Sequence, residues 1–254
     1  MNRYSIKISA QLGRTLLLWL GVAISIIVAS GCRTVYESNT LNMPMMEKKG
    51  DFRGTLDLNN LQLSYAATSN IGIMANGFYK SSSAGDDDSA SDIEGSGLFG
   101  EFGVGYFIRP EPNIVVEAFA GFGAGNVEVQ ENDRSATITA IKQLKASVNR
   151  FFVQPGVAYT SNYFDIGFAP RISVVGYGTP ETNNYSASEI EEYYPELDKT
   201  TWIFLEPAIT IRAGYQAIKG QFQIGRTFKL SSGNINHRED FANIGISIGL
   251  GSMP

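Results

Sequence analysis

Glu101 and Glu117 are the first candidates for chemistry, because a general acid and a general base need two carboxyl groups within reach of one substrate atom. A second candidate is His237, the only histidine in the chain, set in Asn234-Ile235-Asn236-His237-Arg238-Glu239-Asp240. An imidazole there could be oriented by an acid and activate a nucleophile. The acidic run Asp86-Asp87-Asp88, with Asp92 and Glu94, offers oxygen ligands to calcium but lacks the spacing of a calcium loop. Gly95-Ser96-Gly97-Leu98-Phe99-Gly100 spells the dinucleotide fingerprint, yet it follows a polar stretch and enters a strand. That leaves no helix N-terminus for a phosphate. Each pattern has a plainer reading: glutamates ion-paired with Arg171 or Arg212, a solvated loop histidine, and a solvated acidic loop. The plainer readings are the expectation. No catalytic residue, metal or cofactor is assigned, and the chain is not expected to be an enzyme.

The remaining reactive group is the thiol of Cys32, the one cysteine of the chain, so no intramolecular disulfide can form. It follows a leader built in three parts. Met1 to Arg14 carries Arg3, Lys7 and Arg14 and no acid; Thr15 to Ala29 is apolar; Ala29-Ser30-Gly31 is small. The order basic, apolar, small is that of a secretory signal, and the apolar run is too short to span a bilayer comfortably. Val28-Ala29-Ser30-Gly31-Cys32 resembles the lipobox of bacterial lipoproteins, with Ala29 where that family usually has leucine. The resemblance implies cleavage before Cys32 and acylation of its thiol and new amine, a stable anchor once two or three chains are attached. In that family an aspartate after the cysteine retains the protein at the inner membrane. Arg33 stands there instead, which implies sorting to the outer membrane.

The organisation expected is a signal peptide over 1–31, a lipidated segment over 32–50 and a β-barrel domain over 51–254. The leader removes three of the 20 basic residues and none of the 25 acids, so the mature chain carries 17 − 25 = −8 charges. That balance argues against nucleic acid as a partner.

The elements that must position these side chains are strands. Period-two alternation runs through Leu98–Ile108, Ile114–Val127, Tyr163–Val175, Thr201–Tyr215 and the last segment with Ile244, Ile246, Ile248 and Leu250. Weaker cases are Phe52–Ala66, with a bulge expected at Asn59-Asn60, Ile71–Tyr79, Phe151–Tyr159 and Gly220–Leu230. Runs of about 10 to 15 residues exceed an ordinary strand and match the 9 to 11 that cross a bilayer at a tilt. Short turns at Thr68-Ser69-Asn70, Pro110-Glu111-Pro112, Ser161-Asn162 and Gln216-Ala217 alternate with long polar loops at 80–95, 129–148, 178–199 and 231–240. Tyr65, Tyr106, Tyr159, Tyr163 and Tyr215 gather on the short-turn side, as an aromatic girdle does. Nine segments with an even-number requirement call for one more, and Thr34–Met45, turning at Lys48-Lys49-Gly50, is the expected tenth.

Across roughly 34–250 this architecture is similar to the small outer-membrane β-barrels of the OmpA-like kind; Leu61-Gln62-Leu63-Ser64-Tyr65, a short turn and Ile71-Gly72-Ile73-Met74 resemble the first hairpin of such proteins. The chain departs from them at its end, Gly249-Leu250-Gly251-Ser252-Met253-Pro254, which lacks a terminal aromatic. The fold expected is all-β: an antiparallel up-and-down transmembrane barrel of ten strands, with eight the alternative, and a lipid-facing exterior. Glu101, Glu117, Asp165, Arg171, Glu206, Arg212 and Lys229 are expected to face the lumen and pair there, because charges in a narrow interior need partners. Arg226 alternates with Phe222, Ile224 and Phe228 and is expected to face outward unless a bulge near Gly225 turns it in. Residues 134–148 read as a short amphipathic helix, lying on the membrane surface or covering the mouth, and Tyr185, Tyr193 and Tyr194 as exposed residues of a loop. The function expected is an outer-membrane barrel lipoprotein with a structural, adhesive or narrow-transport role. Its partners would be outer-membrane lipids, the barrel-insertion and lipoprotein-sorting machinery, and an extracellular partner met by loops 80–95 and 178–199. Two alternatives stay open: a soluble, lipid-tethered periplasmic barrel holding an apolar ligand, and a lipid-modifying outer-membrane enzyme.

Overall fold

Alternation of apolar and polar side chains makes each strand two-faced, and two-faced strands bury their polar edges best by closing on themselves. The computed structural model describes residues 34–84, 91–133 and 141–251, without the side chains of 82–84, 91 and 133. Its strands are β1 (Phe52–Asp57), β2 (Asn60–Ala66), β3 (Ile71–Ala84), β4 (Ser91–Glu111), β5 (Ile114–Asp133), β6 (Ile141–Thr160), β7 (Phe164–Tyr177), β8 (Glu181–Asn183), β9 (Trp202–Tyr215), β10 (Ile218–Arg226), β11 (Phe228–Lys229) and β12 (Asp240–Leu250). Among the described residues one helix, α1 (Ala187–Tyr193), lies between β8 and β9. Ten strands form a closed antiparallel barrel in the order β1 to β7, β9, β10, β12, which returns to β1 through Phe52↔Leu250 to Asp57↔Gly245. The short β8 and β11 add to β6 and β9 at one end.

The number of wall strands is the expected ten, reached by a different route. Thr34–Met45 is not in the wall. The tenth strand comes instead from Phe52–Ala66, which breaks at Leu58-Asn59 into β1 and β2, a turn where a bulge was expected. Asp57 makes that turn, its carboxylate accepting the amides of Asn59 and Asn60 at 3.1 and 2.6 Å. The long loops also prove shorter than the sequence suggests. β3 to β6 continue well into 80–95 and 129–148, so Ile141, Leu144 and Val148 belong to a strand and not to a helix; residues 134–140 lie outside the described residues.

Inward and outward faces differ in chemistry. Along β7 the outward positions are Phe164, Ile166, Phe168, Pro170, Ile172 and Val174, and the inward ones include Asp165, Arg171 and Ser173. In β2, β7 and β9 no outward position carries a charge. Ile166, Ile209 and Ile246 stand 40, 43 and 57 % exposed, whereas Glu117, Arg171 and Glu206 are 3, 1 and 0 % exposed. The five expected tyrosines are all exposed on the outer wall near the short turns, where the rings of Tyr163 and Tyr215 lie 5.5 Å apart. Arg226 does face outward, at the long-loop rim, where Glu239 at 2.6 Å and Asp240 at 3.7 Å neutralise it.

Several inward positions of β4 and β5 are glycine because large rings lie flat against the wall there. A β-carbon at Gly121 would meet the Phe152 ring at 2.4 Å, and one at Gly123 the Phe99 ring at 2.4 Å.

Candidate functional site

Barrel width grows with strand number, and the lumen of this ten-strand barrel is completed by the chain's own N-terminal segment. Residues 34–47 run through the lumen in extended form, and Ser38 to Met46 are all buried. An extended chain outside a sheet still has a donor and an acceptor per residue to satisfy. Wall side chains do this. Gln62 donates to the Thr40 carbonyl at 2.9 Å, Gln154 to the Asn42 carbonyl at 2.7 Å and Arg212 to the Met43 carbonyl at 2.8 Å. Glu117 accepts the Met45 amide at 3.0 Å; Met45 takes a left-handed φ of 52° directly after Pro44. Gln223 takes both groups of Leu41.

Above this clasp, toward the long loops, lies a ring of two arginines and two glutamates from four strands. Arg150 of β6 donates to Glu101 of β4 from Nε at 2.9 Å and Nη2 at 2.5 Å. Arg171 of β7 donates from Nε to Glu206 of β9 at 2.6 Å and reaches Glu101 at 3.5 Å. The lumen segment supplies the centre: Tyr36 donates to Glu206 at 2.6 Å, and Asn39 donates to Glu101 at 2.7 Å while accepting from Arg150 and Arg171 at 2.7 and 2.9 Å. Two positive and two negative groups cancel, and each charge is met by a hydrogen bond, which is what makes ionised groups tolerable in a dry interior. Toward the short turns, Asp165 takes Lys219 at 2.6 Å and Arg53 at 3.4 Å.

Apolar side chains pack against the segment at both ends of the lumen. At the short-turn end Met43, Met45 and Met46 fit into wall glycines, a β-carbon at Gly167 lying 2.6 Å from Met45 Cε and one at Gly72 lying 2.7 Å from Met46 Sδ. At the long-loop end Tyr36, Phe99, Leu144, Val148, Tyr194, Leu197, Trp202, Phe204 and Ile235 form one cluster. The Tyr36 and Phe204 rings stack there at 4.1 Å. The 178–199 stretch thus acts as a cover: Tyr194 is buried, and Tyr185 and Tyr193 are partly buried against the same cluster, not held out as expected.

No protein-family description matches the chain, and neither does any curated protein.

Six of the seven residues expected in the lumen are there: Glu101, Glu117, Asp165, Arg171, Glu206 and Arg212 are buried and inward. Lys229 is not. It sits half-buried at the rim in β11 and donates to the Gly233 carbonyl. Glu101 and Glu117 do not form a pair: Glu101 stands opposite Gly123, and Glu117 stands opposite Phe107, six residues further along β4. One is bound by arginines, the other by a backbone amide. His237 is only partly exposed to solvent, bridged to Tyr36 in parallel fashion with its ring 5.5 Å from Phe204. The Asp86-Asp87-Asp88 run lies outside the described residues, and among those described no three ligand side chains gather for a metal. The residues the sequence reading missed are Arg150 and the neutral Gln62, Gln154 and Gln223. Arg150 sat beyond the expected start of its strand, although it shares the parity of Phe152 and Gln154. The glutamines carry no charge, so the need of buried charges for partners does not single them out. An inward amide, which can donate and accept at once, is the signal that a backbone lies opposite.

Proposed function

We propose that the chain is an outer-membrane β-barrel lipoprotein, anchored through acyl chains on Cys32, with a structural or adhesive role. The observation that carries this is the inversion of the usual protein plan. Isoleucines, valines and phenylalanines cover the outer wall, and ion pairs occupy the middle. A continuous apolar outer surface of this kind is unstable in water and stable in hydrocarbon. The exposed tyrosines fit a headgroup interface at the short-turn side. A lumen filled by residues 34–47 favours a structural or adhesive role over passage of solutes. A soluble, tethered barrel holding an apolar ligand requires the opposite distribution of charge.

The test is gel mobility of extracted protein, unheated and boiled, combined with Cys32→Ser. A folded membrane barrel migrates differently before boiling, and the Cys32→Ser protein still requires detergent. If Cys32→Ser released the chain into aqueous buffer, the membrane barrel would be wrong and the tethered soluble domain right. Unchanged envelope lipids in His237→Ala and Glu101→Gln cells would set aside the lipid-modifying alternative.

A further inference from the structure

The lumen segment has a direction. At its start the amides of Val35 and Tyr36 donate to the Asn236 carbonyl, and the Arg238 amide donates back to Tyr36. Glu37 binds Lys80 of β3 and, at 3.1 Å, Arg238. All these partners belong to the long-loop end. At its finish Glu47 pairs with Arg109 of β4 at 3.2 Å, the amides of Glu47 and Lys48 donate to Asp51, and Gly50 donates to Ala66. These partners belong to the short-turn end. The segment therefore crosses the barrel once, entering at the long-loop mouth.

We infer that, given the lipoprotein reading above, the acyl chains on Cys32 are delivered to the long-loop side of the membrane and enter the outer leaflet. Cys32 precedes Thr34 by two residues, and extended chain spans at most about 3.6 Å per residue, so Cys32 stays within about 7 Å of Thr34. The hydrocarbon core is about 30 Å thick, so the opposite leaflet is out of reach. The lumen offers no way back, because the Arg150, Glu101, Arg171, Glu206 ring closes on Tyr36 and Asn39. The lipid, the long loops and the cover over 178–199 share one face, and the short turns occupy the other.

The experiment uses the full chain in the outer membrane of a Gram-negative host, with one epitope inserted between Arg33 and Thr34, one within 85–90, or one at Pro112-Asn113. Antibody binding to intact and permeabilised cells is compared. The expected result is that the first two epitopes are detected on intact cells and the third only after permeabilisation. If the 85–90 epitope were detected on intact cells while the Arg33–Thr34 epitope required permeabilisation, the inference would be overturned and the membrane barrel would survive. If all three were hidden and Cys32→Ser were soluble without detergent, both would fall. Thr34→Cys, labelled on intact cells by a membrane-impermeant maleimide, reads the same position with a single side-chain change. Absence of label there while Asn236→Cys is labelled would overturn the inference equally.

Discussion

Gln223 holds Leu41 by both of its backbone groups, accepting from the amide at 2.7 Å and donating to the carbonyl at 2.8 Å. One wall side chain thus reproduces the two bonds a neighbouring strand would supply. Gln223→Leu keeps the size and removes both bonds, leaving a buried donor and acceptor unpaired. The expected loss is about 2–4 kcal/mol of stability, read as a lower urea concentration for loss of the fast-migrating folded band. Gln223→Glu, which keeps only acceptors opposite the carbonyl, is expected to be no better.

The arginine–glutamate ring is predicted to be far more sensitive to losing one member than to losing a matched pair. Arg171→Met leaves Glu206 with only Tyr36 and Ser173 as donors and an uncompensated charge. A cost of about 3–5 kcal/mol is expected. Adding Glu206→Gln to Arg171→Met should recover part of it. A double-mutant cycle in urea checks this, and strict additivity of the two losses would mean that the two residues do not interact.

Gly167 is the seat of two methionines, with Met45 Cε and Met43 Cε at 2.6 and 2.7 Å from where a β-carbon would stand. Gly167→Leu is expected to displace the lumen segment and destabilise the folded barrel by about 1–3 kcal/mol. Met43→Ala in the same chain should relieve part of the crowding. Protease cleavage between residues 38 and 46, absent in the parent protein, would report the displacement.

The cover carries a pH-dependent cap. Ser186 caps α1 and Glu189 closes the capping box; Lys142 and the Ser186 amide and hydroxyl hold the Glu189 carboxyl down to about 2. A carboxylate lowered on folding stabilises the folded form above the ordinary value of 4.5, and that contribution disappears as pH falls through about 2. Amide exchange in α1 is therefore expected to stay slow at pH 4 and to quicken near pH 2. Lys142→Met should move that transition upward toward the ordinary carboxylate range.

Because the lumen segment and its ring fill the interior, the protein reconstituted in a planar bilayer is expected to give no conductance steps in molar salt. Regular steps from the unaltered protein would show an open path past Tyr36 and Asn39.

Period-two patterning made the all-β class, most of the strand positions and the faces legible, because alternation is a one-dimensional property of each strand. It placed Glu101, Asp165, Arg171, Glu206 and Arg212 inward with no knowledge of their neighbours. What it could not decide was where an extended segment goes. Thr34–Met45 reads as a tenth strand, yet with a wall already closed by β1 and β2 it fills the lumen. That choice depends on barrel width and on whether Gln62, Gln154 and Gln223 converge on one line, a property of ten strands together. For the same reason Glu101 and Glu117, neighbours by strand, proved to belong to different clusters. Side-chain type and parity are written along the chain, whereas partnership requires the register and closure that only tertiary structure supplies.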